Sequence, residues 1–193
     1  YGVSAKAAQS VGPFLNELKA KMTNAIVTAT VTVNYMHWEY TNLAAATWIN
    51  VHAFENGTHV GPGAPVGQQS SLQFMKDAAA IWINKGIPAS KLVLGIPAFG
   101  LRYSELDAAG NNASWGSYDY MPYKDIVAAD ATAAQKEYTA AIAKGVYFNG
   151  VPLVTEKANY IKATNFKGVY IWAADYDALG ANGLIKTIHG ILK

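Results

Sequence analysis

Residues Lys91 to Phe99 read KLVLGIPAF, a short run with apolar side chains on both sides of its alternation. A strand that is apolar on both faces is covered on both faces, which is the mark of a parallel strand in an α/β fold. Upstream, SSLQFMKDAAAIWINKG (Ser70–Gly86) predicts a helix, with Leu72, Met75, Ala79 and Trp82 on one face and Gly86 as its stop. Downstream, GLRY at Gly100–Tyr103 opens a long excursion to about Gly150, rich in Gly, Asn, Ser and aromatic residues. Within it, ATAAQKEYTAAIAKG (Ala131–Gly145) predicts a helix.

The same alternation extends in both directions. AIVTATVTV (Ala25–Val33), β-branched at nearly every position, and WINVHAF (Trp48–Phe54), which follows a short helical turn, read as strands before the run; KGVYIWAAD (Lys167–Asp175) reads as one after it. Helical patterns occupy AKAAQSVGPFLNELKAKM (Ala5–Met22), irregular around Gly12-Pro13, then VTEKANYIKATN (Val154–Asn165) and NGLIKTIHGILK (Asn182–Lys193). The result is four strand–helix units in a row behind a leading helix. A closed barrel of such units takes eight strands. A doubly wound nucleotide fold carries a glycine-rich phosphate loop after its first strand, and none stands here. The pattern is that of half of a larger fold.

Composition narrows the function classes. In 193 residues, 51% are hydrophobic and 15% charged, which suits a globular chain with a sizeable core. A formal charge of +2 without a basic run argues against a nucleic-acid partner. No apolar run approaches the ~18 residues that a membrane span requires. Without cysteine there is neither a disulfide nor a thiolate metal site, and His37, His52 and His59 lack ligand spacing, so no metal and no cofactor is expected. The opening YGVSAKAAQS has neither the basic start nor the apolar block of a signal peptide, and it lacks an initiator Met, as expected of a chain processed or excised from something longer.

Three blocks in order carry a family resemblance. TWINVHAFENG (Thr47–Gly57), GIPASKLVLGIPAFGLRY (Gly86–Tyr103) and VYFNGVPLVTEKANYIKATNFKGVYIWAADYDALG (Val146–Gly180) resemble the sixth, seventh and eighth strand regions of glycoside hydrolase family 18, the chitinase and endo-N-acetylglucosaminidase family. The resemblance implies an α/β fold, the C-terminal half (strands five to eight) of a (β/α)8 TIM barrel, with an enlarged loop and helix excursion between strands seven and eight. Residues 1–193 are then one partial domain lacking strands one to four.

The family cleaves β-1,4-linked N-acetylglucosamine glycans with retention, using the sugar's own acetamido group as nucleophile. Its acid-bearing motif, Asp-x-x-Asp-x-Asp-x-Glu, ends the fourth strand. Trp38-Glu39-Tyr40 imitates the tail of that motif, but the aspartate positions hold Thr32, Tyr35 and His37, and Glu39 stands only sixteen residues before Glu55. Glu39 therefore reads as an ordinary loop carboxylate, and the catalytic glutamate is expected outside this chain.

The resemblance also implies the supporting residues. Trp172 matches the tryptophan that floors the sugar site, against the alternative of a plain core tryptophan. Glu55 stands for the sixth-strand aspartate, against a solvated loop acid. Phe54 replaces a tyrosine whose hydroxyl bonds the acetamide, and His52 replaces a methionine; a lone histidine there is more often structural. Phe99 and Leu101 stand where tyrosine and arginine are frequent, with Arg102 one position away. Trp38, Trp115, Tyr118, Tyr120 and Tyr123 read as aromatics at the barrel mouth, or as loop packing.

The expected partners are an N-acetylglucosamine-containing oligo- or polysaccharide and the missing N-terminal half of the barrel or a second copy. The expected location is extracellular, periplasmic or cell-surface. A catalytically inactive carbohydrate-binding relative and a structural half-barrel are the competing readings.

Overall fold

The computed structural model describes residues 4–34 and 37–193. Helix α1 (Ala5–Lys21) opens on Ser4, whose hydroxyl accepts the Ala7 N–H as an N-cap, and it runs without a break through Pro13. Strands β1 (Thr28–Thr32) and β2 (Trp48–His52) follow, then helix α2 (Leu72–Asn84), capped by Ser71, and strand β3 (Leu92–Pro97). Further on lie helix α4 (Val151–Ala163), strand β8 (Gly168–Trp172) and helix α5 (Leu184–Leu192). The four predicted strands are all present, each a few residues shorter than its apolar run. All pair in parallel, in the order β1-β2-β3-β8.

Only β3 is buried along its whole length. The outer face of the sheet packs on the helices through Val31, Ile49, Val51, Leu94 and Ile96, with Met75, Ala79, Trp82, Val154 and Ile161 opposite. The inner face differs from the two-sided apolar cover expected from sequence. In β2, Trp48, Asn50 and His52 are half-buried and alternate with buried Ile49 and Val51. Strands β1 and β8, at the two edges, are partly open on both faces.

The excursion is also different. At Ala98 the chain leaves the parallel sheet and builds a second, antiparallel one from β4 (Phe99–Tyr103), β5 (Tyr118–Pro122), β6 (Tyr138–Thr139) and β7 (Val146–Tyr147), in the order β5-β4-β7-β6. Its helix is α3 (Tyr123–Ala129); the helix expected over 131–145 is absent, replaced by a single 3-10 turn at Ala133–Gln135 and the β6–β7 hairpin. The cause lies at Asp130. Its Oδ1 accepts both the N–H and the hydroxyl of Thr132, while its Oδ2 takes the Thr139 hydroxyl at 2.6 Å and the Lys136 ammonium at 3.0 Å. These bonds knot the segment against a helical path despite its alanines. Tyr123, expected at the mouth, is fully buried in the core, and Tyr118 and Tyr120 belong to a strand and not a loop.

Candidate active-site cleft

Side chains at the C-terminal ends of the parallel strands converge on one cleft of about 520 Å³, lined by Thr30, Asn50, His52, Phe54, Glu55, Phe99, Tyr120, Tyr170, Trp172 and Tyr176. That volume is in the range of small-ligand sites. Six of the residues singled out from sequence, His52, Phe54, Glu55, Phe99, Tyr120 and Trp172, are brought together there.

Trp172 ends β8 opposite Pro97 of β3, and its side chain is 59% exposed. It is therefore no core tryptophan: more than half of its surface is exposed, and it lines the cleft. The peptide joining it to Ala173 is cis.

Glu55 follows β2 in the left-handed conformation, φ 58°, which is uncommon for a residue with a side chain. Two bonds hold it so. The Gln69 side-chain oxygen accepts the Glu55 N–H at 2.5 Å, and Asn34 Nδ2 donates to the Glu55 carbonyl at 2.7 Å. The turn aims the carboxylate back along the strand, where Oε2 lies 2.7 Å from His52 Nε2 and Oε1 accepts the hydroxyl of Tyr120 from the second sheet. Burial pushes the Glu55 carboxyl up, but the hydrogen bonds from His52 and Tyr120 and the charge of His52 outweigh it. The carboxyl rests below its usual value and stays an anion.

Phe54 and Phe99 are buried and meet edge to face at 5.8 Å, and the ring of His52 lies 3.8 Å from Phe54. With Leu101 and Tyr103 the two phenylalanines form a small core that welds the cleft to the second sheet.

Two of the sequence candidates lie elsewhere. Arg102 points along the second sheet and makes a two-pronged pair with Asp119, Nε to Oδ1 at 2.9 Å, and does not line the cleft. Trp38 is 57% exposed in a 3-10 turn, His37–Glu39, beside the helices. Gln9 of α1 donates to Glu39 at 2.8 Å, and Lys85 donates to the Trp38 carbonyl at 3.2 Å. Tyr35, one of the positions compared with the acid motif, lies outside the described residues.

Sequence reasoning passed over Thr30, Asn50, Tyr170 and Tyr176. The first three had a signal: Thr30 and Asn50 are paired in register on β1 and β2, and Tyr170 stands two residues before Trp172, so period-two alternation puts each on the cleft face.

A family model for glycosyl hydrolases family 18 matches residues 5–177. This chain belongs to that family. Chitinase 1 of Aphanocladium album is 26% identical over 173 residues, covering 81% of this chain and 38% of its own length. The family 18 chitinase ChiB from the chitin utilization locus of Flavobacterium johnsoniae superposes with a TM-score of 0.78 at 25% identity, over 95% of this chain and 56% of that one. A class V chitinase from Nicotiana tobaccum, solved as a mutant with NAG4, gives a TM-score of 0.72 at 22% identity, over 100% of this chain and 66% of that one. The chain thus has the α/β fold of family 18 chitinase barrels and spans well under half the length of the Aphanocladium enzyme.

Proposed function

We propose that these residues form strands five to eight of a family 18 (β/α)8 barrel that hydrolyses β-1,4-linked N-acetylglucosamine glycans with retention. The cleft carries this reading. It opens at the C-terminal ends of parallel strands, where barrel enzymes keep their chemistry, and an exposed indole forms one wall beside an ionised carboxylate.

In that reaction a protonated glutamate gives its proton to the glycosidic oxygen as the bond to the anomeric carbon breaks. The acetamido oxygen bonds to the same carbon, and water then opens the cyclic intermediate. The donor glutamate is assigned to barrel strands outside these 193 residues. Within them, Trp172 stacks under the sugar ring, and the Glu55–His52–Tyr120 group orients the substrate's polar side. The two half-open edges β1 and β8 support the existence of partner strands, supplied by the rest of the barrel or a second copy. A polymeric substrate outside the cell assigns the protein to an extracellular, periplasmic or cell-surface location.

A second reading, a sugar-binding relative without activity, is favoured by one observation. Phe54 stands at the cleft without a hydroxyl, and a missing donor at a reacting group costs several kcal/mol of transition-state stabilisation.

Titrating the complete protein with N-acetylglucosamine oligomers tests the shared core of both. Binding that weakens by about tenfold or more in Trp172→Ala is expected for a lost stacking platform. No binding, or equal binding by both proteins, rejects the sugar site. Release of shorter oligomers by the wild type then separates the enzyme from the silent binder.

A further inference from the structure

Helix α4 carries a lysine that does not line the cleft. Lys157 is fully buried, and its Nζ donates to three oxygens: the Ser70 carbonyl at 2.6 Å, the Ser70 hydroxyl at 2.8 Å and Asn149 Oδ1 at 2.5 Å. An ammonium has three N–H donors, and here each has its own acceptor. Asn149 Nδ2 in turn donates to the Ser70 carbonyl at 3.2 Å and to Gln68 Oε1 at 3.3 Å, while Gln68 Nε2 donates to the Phe148 carbonyl and to Glu137.

The other side of the same tripeptide, Gln68-Gln69-Ser70, grips the turn after β2. The Ser70 hydroxyl donates to the Ala53 carbonyl at 3.2 Å, the Asn56 N–H donates to the Gln69 carbonyl at 2.8 Å, and the Gln69 side chain takes the Glu55 N–H at 2.5 Å. Residues 68–70 are a clamp with Lys157 on one jaw and Glu55 on the other.

We propose that Lys157 is a positioning residue for the cleft: through Ser70 and Gln69 its ammonium holds the left-handed turn that aims the Glu55 carboxylate at His52. This rests on the sugar-site reading given above. An ion buried for stability alone is a poor device, since a hydrophobic residue of similar volume often does as well. A buried ammonium whose acceptors lead in one step to the cleft turn has a structural reason to be charged.

That charge is adjustable. Burial draws the Lys157 pKa down to about 7, with the Glu137 carboxylate opposing. Ser70, Asn149 and Gln68, the other polar groups around it, are neutral. The deprotonated amine has two N–H donors and a lone pair for three oxygens, so one contact of the clamp turns repulsive. Ligand affinity is thus expected to fall as pH rises through about 7. Global stability responds with the opposite sign. The folded pKa lies below the unfolded one, so between about 7 and the ordinary lysine value the unfolded chain binds more protons and stability rises with pH. A purely structural lysine would not weaken binding while stability rises.

The test follows an N-acetylglucosamine tetramer titrated into the complete protein between about pH 6 and about pH 9, with the Glu55 backbone amide resonance recorded alongside. The expected result is a wild-type affinity that drops about threefold to tenfold across the range while Tm does not drop, with the Glu55 amide moving at the same midpoint. Lys157→Met and Gln69→Leu are expected to bind weakly and to lose that pH limb. A flat wild-type profile with a stationary Glu55 amide overturns the proposal, as does a limb that survives in Lys157→Met. If Lys157→Met does not fold, Gln69→Leu decides, because it breaks only the link to the Glu55 N–H: unchanged affinity rejects the clamp. A wild type that binds no tetramer rejects the sugar site instead, and the Glu55 amide titration still decides whether Lys157 positions this residue.

Discussion

His52 and Glu55 stand three residues apart on one strand end, yet their side chains meet at 2.7 Å because the backbone of Glu55 turns left-handed between them. A strand alone sends side chains three apart to opposite faces. The turn converts a local sequence pair into a cleft-facing carboxylate–imidazole unit, closed from the second sheet by Tyr120.

Glu55→Gln keeps the shape and removes the charge. It is expected to lower stability by about 1 kcal/mol at neutral pH, the size of one charge-assisted bond. The Glu55 carboxyl is held below its usual value in the folded state. Its contribution is therefore present above the unfolded carboxylate pKa and lost as pH falls through the folded one. Thermal melts of both proteins across the acid range should converge at low pH; a gap that persists there would show that the charge is not the cause.

Arg102 and Trp172 are expected to behave oppositely on substitution. The Arg102–Asp119 pair is solvent-exposed on the second sheet, and such pairs contribute at most about 1 kcal/mol. Arg102→Ala should leave oligosaccharide binding unchanged, whereas Trp172→Ala should weaken it with little change in Tm, since the indole is already 59% exposed. Calorimetric titration of the two variants side by side checks this, and a comparable binding loss in Arg102→Ala would return the arginine to the site.

The parallel strands were legible because KLVLGIPAF and its three counterparts carry β-branched and apolar side chains at nearly every position, and that signal is local. Trp172 was legible because it ends such a run within the block that resembles the family's eighth strand, and the structure puts it in the lining of the cleft. The second sheet was not legible. Its β6–β7 hairpin has two residues per strand, and the Asp130 side chain that ties 130–139 overrides an alanine-rich helical composition. Arg102 and Trp38 misled for a related reason. Their positions in the chain are near the cleft, but their contacts, Asp119 and the helices, are set by partners far away in sequence. Lys157 reads as a surface lysine of an amphipathic helix, and only the fold shows its three acceptors.

The edges of the parallel sheet make a prediction about solution behaviour. Strands β1 and β8 lie at the two ends of the order β1-β2-β3-β8 and are partly open on both faces. Unpaired strand edges with apolar neighbours recruit other strands. The 193-residue chain by itself is expected to associate, and light scattering should report a mass above that of one copy. A monodisperse monomer at micromolar concentration would count against the proposed half-barrel.

A tight constraint lies behind the cleft at Gly95, in the middle of β3. A methyl group added there would stand 2.7 Å from Phe54 Cε1 and 2.7 Å from both Cζ and the hydroxyl oxygen of Tyr170. These contacts are sub-van der Waals, and the two rings already pack on each other: Phe54 is buried against Phe99 and His52, and the Tyr170 ring, on the residue paired in register with Gly95, lies 6.2 Å from Phe54. Gly95→Ala is therefore expected to cost about 1–3 kcal/mol, the usual price of overpacking. Both rings line the cleft, so their displacement is expected to narrow it. The expected signature is a drop in oligosaccharide affinity larger than the drop in stability accounts for. Gly95→Ala combined with Phe54→Leu, which gives back ring volume on one side, should recover part of both, and a double variant no better than the single one would place the clash elsewhere.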